Sequence, residues 1–448
     1  MNTFKSPYSY YTESFDLSNR PRKFLEAFAA ILEHTNYRFI LDLYSKISAK
    51  CSRCSVTCQI YQASGKPEDI PCYRSELLLK VYRRHFTYKG IWEGRVLGKN
   101  GLMDENIDEM AESFYHCTAC RRCTFDCPMG IEHGLITHLG RWILAEIGIA
   151  PKALVVSVRE QLEGATANTS AIPAAAMIDT CEFLEEEIQD EKSIDIKFPI
   201  DVEDAEYIFF PAVSDFLLEP DTLMGNAAVM HATGGSWTIG TKYFDGINYG
   251  LFYSDTWLEM IIRKEVEELK RLKAKKIMIG ECGHASRTAK QFVPVFCGGK
   301  EAPEVVNCME YALDMLEKGK LKLNPDIITE KVTYHDPCNI ARNGWIVEQP
   351  REILKSFVKN YVEMTPNGKN NLCCGGGGGT VSIDEIRKYR TGIIGKKKAD
   401  QIRDTCADIV VAPCANCKKQ VREVCDDNDL EHIQVMGLHD LILKAIVF

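Results

Sequence analysis

Cys117, Cys120, Cys123 and Cys127, followed at once by Pro128, form a C-x2-C-x2-C-x3-C-P run. Three thiolates spaced this closely cap three irons of one cubane cluster, and the fourth turns away to ligate a second cluster. The run predicts a [4Fe–4S] cluster, a partner cluster, and a chain that handles electrons. Its rival is a structural zinc site. Zinc normally pairs two Cys-x2-Cys knuckles across a longer gap, so the x2-x2 spacing and the Cys-Pro step favour iron–sulfur.

Upstream, Cys51-x2-Cys54-x3-Cys58 matches the last three positions of the same motif, with Ser48 where its first cysteine would stand. Cys72, after Pro71, is the nearest spare thiol. One cubane is expected on Cys58 with Cys117, Cys120 and Cys123. The other is expected on Cys51, Cys54, Cys127 and Cys72. Ligation by Ser48, or a three-cysteine [3Fe–4S] centre, are the alternatives.

Nineteen cysteines in 448 residues would suggest a disulfide framework in a secreted protein. The first residues carry no apolar segment of a signal peptide, so the cysteines read as metal ligands or redox thiols. A net charge of −9 gives no basic footprint for nucleic acid. No apolar run approaches the roughly 18 residues needed to span a bilayer. Membrane association would go through a partner.

The chain is expected to divide into an N-terminal helical extension (1–50), a two-cluster domain (51–150), a helical linker (151–205) and two α/β modules (206–330 and 331–448). In the extension, Ser18 or Asn19 would cap a helix that carries Pro21 in its first turn. The acidic run Glu185–Glu187 reads as a solvated face. From about residue 206 short apolar strands alternate with helices: 207–210, 276–279, 332–334 and 409–411 read as strands, and 257–272 as an amphipathic helix. The modules are repeats. Residues 276–285 align without gaps on 408–417, and 207–211 on 333–337. The halves differ in chemistry. The second carries Cys338, Cys373-Cys374 and Cys414-x2-Cys417; the first retains Cys282 and has Ala212 or Val213, a Cys-free stretch near 242–248, and Ala285 in the other places. A cluster in the second half only is the consequence.

A vicinal pair such as Cys373-Cys374 caps one cubane poorly. It suits a centre in which sulfurs bridge irons or one iron is doubly ligated. Gly375 and Gly376 open a glycine run that would let backbone pass close to a bulky inorganic group. No Lys-Ser/Thr follows, which argues against a phosphate loop; a vicinal disulfide or zinc are further rivals. His335 and Asp336 beside Cys338, and Glu281 and His284 beside Cys282, would meet in one pocket if the halves face each other. There they are candidate proton donors to a leaving thiolate. Cys181, Cys297, Cys308, Cys406 and Cys425 lack motif context and read as buried apolar cysteines.

These motifs together resemble the family of heterodisulfide reductase D subunits, which includes the DsrK-type proteins. The likeness rests on the ferredoxin run, His335-Asp336-Pro337-Cys338, Cys373-Cys374-Gly375 and Cys414-Ala415-Asn416-Cys417, and spans roughly residues 45–430. It implies an α+β or α/β chain, a mostly helical ferredoxin-like domain followed by a pseudo-twofold pair of CCG modules. It implies two cubane clusters feeding a noncubane [4Fe–4S] centre on the five C-terminal cysteines, where family members cleave disulfides by one-electron steps. The emptied first module departs from members with two such centres. The expected partners are a flavoprotein, ferredoxin-like or membrane cytochrome subunit, with a disulfide or thiol substrate. The expected location is cytoplasmic, or peripheral at the inner membrane face through a partner. The alternatives are an electron-relay subunit without substrate chemistry, in a cytochrome-linked complex or an aromatic-ring reductase, and a zinc scaffold.

Overall fold

A computed structural model describes residues 16–48, 50–97 and 101–448. The chain forms two compact units. The first comprises residues up to Val155 together with Phe252–Asp255 and Gly375–Ile394; the second holds the rest.

The first unit is helical. Arg20–His34 opens it, with Pro21 in the first turn. Asn19 occupies the N-cap position at φ +52 but makes no side-chain cap bond. The single helix expected in the extension is two. Thr35 turns its hydroxyl onto the carbonyl of Ile31 (2.6 Å), the chain leaves helical geometry, and Tyr37–Ile47 begins anew. The irregular lead before Asp16 lies outside the described residues. Helices Pro71–Phe86, Asp104–His116 and His133–Glu146 complete the bundle. Their shared core is apolar: Phe24, Phe28, Leu78, Leu79, Ile107, Phe114 and Leu139 are fully buried, and the Phe28 ring packs at a tilt against Phe86 and Tyr82.

The second unit begins with helices Lys152–Glu163 and Ala174–Lys192, where one helix and a linker were expected. The Asn168 side chain bridges Thr166, Ser170 and Ile172 and builds the turn between them. Two four-stranded sheets follow, each entirely parallel. The first contains β1 (Tyr207–Phe210), β2 (Trp237–Thr238), β3 (Lys276–Ile279) and β4 (Glu304–Asn307), in the order β2-β1-β3-β4. After the short β5 (Lys322–Leu323), the second contains β6 (Val332–Tyr334), β7 (Tyr361–Glu363), β8 (Ile409–Val411) and β9 (Gln434–Met436), in the order β7-β6-β8-β9. The two orders are the same, so the sequence repeat is a repeat of topology. β10 (Ile446–Val447) closes antiparallel on β5. The central strands are buried on both faces, which is why β1, β3 and β8 read as unbroken apolar runs.

The modules pack reciprocally. Helix Pro220–Thr233 of the first lies on Leu438–Ala445 of the second, and Gln349–Phe357 of the second lies on Cys308–Glu317 of the first. These are corresponding helices exchanged, the pattern of a pseudo-twofold. Approach is close: a Cβ on Gly225 would stand 2.2 Å from the carbonyl oxygen of His439. Among the five cysteines without motif context, Cys181, Cys308 and Cys425 are buried as expected. Cys297 is half-buried and Cys406 is exposed. Cys406 caps the helix Lys396–Thr405 in left-handed geometry, which carries it off the packed face.

Candidate metal centres

In the first unit the same backbone turn is built twice. Ala119 and Arg121 stand at φ +50 and +60; Lys50 and Ser52 stand at +47 and +56. These pairs coincide when Cys120, Cys123 and Cys127 are laid on Cys51, Cys54 and Cys58. Each turn starts at a helix C-cap, Cys117 or Ser48, and runs into a short helical turn, Arg122–Phe125 or Arg53–Val56. Left-handed geometry costs an L-residue about 1–2 kcal/mol. Paired strain of this kind marks a turn shaped by what it must wrap.

Cys58, Cys117, Cys120 and Cys123 line one cavity, with Arg74 and His133 in its wall. Burial, then repulsion from Cys58, Cys120 and Cys117, pushes the Cys123 thiol far up; burial pushes Cys58 up to about 12. Four thiols lining one cavity suit a multiply charged cation among them, and an iron–sulfur core fits. Arg74, fully buried, donates to the Ser113 carbonyl and lies 3.5 Å from Asp69. Arg141 fixes the loop, donating to the carbonyls of Phe114 (3.0 Å), Cys117 (2.5 Å) and Gly378 (2.9 Å).

At the upstream set, the Cys54 thiol donates to Cys72, which also lies 3.9 Å from the Ser52 hydroxyl. That bond holds Cys72 down at about 6. Cys51 is exposed and Cys127 half-buried. Ser48 is a helix C-cap with its N–H on the Tyr44 carbonyl, as Cys117 is on that of Phe114.

The glycine run starts in left-handed geometry at Gly375. Gly377 faces the first cysteine loop: a Cβ there would meet the Thr118 carbonyl oxygen at 2.3 Å, and one on Gly378 would meet that of Cys117 at 2.8 Å. Close approach is what the glycines permit, and the neighbour at Gly377 and Gly378 is backbone.

In the second unit the C-terminal thiols gather where β3, β6 and β8 end, the end at which open α/β sheets bind ligands. Cys282 and Cys414 are the N-caps of Gly283–Phe296 and Ala415–Asp426, and Cys338 opens Cys338–Gly344. Cys374 and Cys417 sulfurs lie 3.5 Å apart. His335, Cys374 and Cys417 bring their ligating atoms within 4.8 Å of one another, all buried. Hydrogen bonds from Cys282 and Cys417 hold the Cys414 thiol well below its ordinary range. Both His335 ring nitrogens are buried without a hydrogen-bond partner. A buried polar pair left open costs of the order of 1–3 kcal/mol per group, so the site is built for an occupant that sulfur and nitrogen can hold. Burial, with the Lys398 ammonium nearby, pushes His335 down to about 3. Burial takes His284 down to about 4.

The two carboxylates are occupied. Asp336 is bidentate to Arg351 (2.8 Å twice) and accepts from the Gly368 N–H (2.7 Å). Glu281 accepts from the backbone N–H and the Nδ1 of His439, each at 2.7 Å. Lys398 is the residue that sequence reasoning missed. It is 1% exposed, its ammonium donates to Gln401 and approaches the Met364 sulfur, and the field of Cys374, Cys373 and Cys417 acts on it. Among the described residues no carboxylate pairs with it. The run Lys396–Lys398 looks like a solvated face. Only the helical phase of Lys398 with Ala399 and Ile402, both buried, could have flagged it.

Residues 332–422 match the CCG cysteine-rich domain and residues 49–131 the 4Fe-4S dicluster domain. An Hdr-like menaquinol oxidoreductase iron-sulfur subunit 2 of Archaeoglobus fulgidus is 26% identical over 99% of this chain and 87% of its own. The D subunit of the dihydromethanophenazine:CoB--CoM heterodisulfide reductase of Methanosarcina barkeri is 25% identical over 89% of this chain and 93% of its own. An EtfAB:quinone oxidoreductase of Syntrophomonas wolfei is 24% identical over 93% of this chain and 60% of its own.

Proposed function

We propose that this chain is a CCG iron–sulfur protein of the kind of the heterodisulfide reductase D subunits and their homologues, and that it passes electrons through two cubane [4Fe–4S] clusters to a noncubane [4Fe–4S] centre that reduces or oxidises a disulfide or thiol. At the coarser level it is an oxidoreductase, an iron–sulfur electron-transfer subunit that binds [4Fe–4S] clusters and works with other redox subunits. No helix among the described residues is long and apolar enough to cross a membrane. Contact with a membrane would therefore run through a partner subunit.

One observation carries the disulfide reading: a buried row of thiols, Cys414, Cys417 and Cys374, ends at an imidazole with both nitrogens open. Cys338, Cys373, Cys374, Cys414 and Cys417 would hold the noncubane centre. Bound there, an iron–sulfur centre supplies the one-electron steps that a two-electron disulfide cleavage has to be divided into. The protein supplies the surroundings. His335, kept neutral by burial, offers a ring N–H to a sulfur and an acceptor nitrogen on its far side. Lys398 keeps a buried positive charge in the field of the thiols and can carry a proton. Asp336 and Glu281 anchor their loops through Arg351 and His439, which makes them positioning groups.

Cys58, Cys117, Cys120 and Cys123 would hold one cubane. Cys51, Cys54, Cys72 and Cys127 would hold the other. Anaerobically prepared protein, oxidised and then given a thiol, should develop a new paramagnetic signal, and donor-reduced protein should turn over a disulfide. Intact clusters with neither response would leave the relay reading. That second reading is favoured by the first module, where Ala212, Val213 and Ala285 stand in place of ligands. It would make this chain a conduit within a quinol-linked complex such as those of its relatives. Subunits co-purifying with it separate the two.

A further inference from the structure

Of the five cluster positions the emptied module has kept one cysteine, and its loop touches the filled module's site. Cys282 is fully buried. Its neighbour Gly283 meets the Cys414 sulfur, Cys414 and Cys417 stand at the start of the helix Ala415–Asp426, and the Cys417 sulfur lies 3.5 Å from that of Cys374. The two loops are locked across the pseudo-twofold by backbone. The Ala415 N–H donates to the Glu281 carbonyl (2.9 Å), and the Gly283 N–H donates to the Cys414 sulfur (3.3 Å). The Nδ1 of His284 stands 3.3 Å from the Cys282 sulfur, and the His284 ring stacks on Tyr249. Cys308, a packing thiol of the same module, differs. Its sulfur makes long contacts of 3.9 Å, to Asn307 and His439.

We propose that Cys282 is a sixth cysteine ligand of the C-terminal iron–sulfur centre, supplied from the first module and oriented by His284. The proposal rests on reading the second module's cysteines as such a centre. A buried thiol on a loop that meets the Cys414 sulfur, with an imidazole 3.3 Å from it, has the chemistry of a ligand. Retention of this one position then follows from geometry. Across the pseudo-twofold the Cys414 sulfur reaches the first module at Gly283, next to Cys282, whereas Ala212, Val213 and Ala285 offer no thiol.

The test is Cys282→Ser, with Cys308→Ala as control, in full-length protein prepared anaerobically. Iron content, the EPR line shape of the centre and the rate of iron loss to a chelator are measured. Loss of an outer-shell partner alone typically weakens metal binding by about 10–100-fold, and loss of a ligand costs no less. Cys282→Ser should therefore release iron from this centre at least about tenfold faster, with a changed line shape, while Cys308→Ala matches wild type. Indistinguishable spectra and release rates overturn the inference. If the cluster-free Cys282→Ser chain melts below Cys308→Ala, selenocysteine of a magnetic selenium isotope replaces Cys282 instead. Hyperfine broadening of the centre's signal then supports ligation, and its absence overturns it. Failure of the underlying reading looks different, because wild type itself would then lack a third cluster.

Discussion

The fourth place in the upstream set falls between Cys72 and Ser48. The neighbouring Cys54 thiol holds Cys72 down at about 6, toward the thiolate that binds metal. Ser48 offers only a hydroxyl, and iron–sulfur clusters select soft thiolate ligands. Cys72→Ala is therefore expected to lower iron content by about four per chain, one cluster, while Ser48→Ala leaves it unchanged. Iron analysis with Mössbauer spectroscopy checks both. Spacing alone named Cys72 as the nearest spare thiol and could go no further, because the selection is made by a side-chain contact between Cys54 and a residue 18 positions on. Lys398 was illegible for the same reason: three successive lysines look solvated, and only packing turns the third inward. Asp336 and Glu281 were legible as neighbours of cysteines. Their partners Arg351 and His439 lie far along the sequence and were not.

Among the elements, those with a physical signature of their own were readable. β1, β3, β6 and β8 are doubly buried strands and appear as apolar runs. β2, β7 and β9 are two or three residues long, exist because a neighbour offers hydrogen bonds, and carry no pattern to find. The helix His133–Glu146 opens on a residue that holds a device no sequence pattern shows. His133 is 4% exposed, and its Nδ1 lies 2.8 Å from the Ser75 hydroxyl of helix Pro71–Phe86. Burial pushes it down to about 4 from a usual value near 6.5. The folded state thus prefers the neutral ring. Its contribution is intact above about pH 6.5 and is lost as pH falls toward 4, because the unfolded chain takes up the proton first. The shift corresponds to about 3 kcal/mol at full effect. Denaturant unfolding of the cluster-free chain should weaken between pH 7 and pH 4.5, and His133→Gln should flatten that slope. An unchanged slope in the variant would remove His133 from the account.

For the whole molecule, the division of labour follows from which thiols share a unit. Cys58 and its three partners belong to the first unit, as do Cys51, Cys54, Cys72 and Cys127; Cys338, Cys373, Cys374, Cys414 and Cys417 belong to the second. A bound cluster stabilises only the folded form that binds it. Removing a ligand should therefore penalise its own unit. Cys414→Ala is expected to strip about four of about twelve irons, leave the N-terminal cluster spectra unaltered, and lower only one of two calorimetric transitions. Cys120→Ala should do the reverse, lowering the other transition and sparing the signal that thiol addition induces. The two variants together separate modular assembly from a single cooperative metal core. If either empties every cluster, or moves both transitions alike, the thiols do not form independent sites. The functional reading, which asks the ferredoxin-like unit to charge a separately built catalytic centre, would then lose its structural basis.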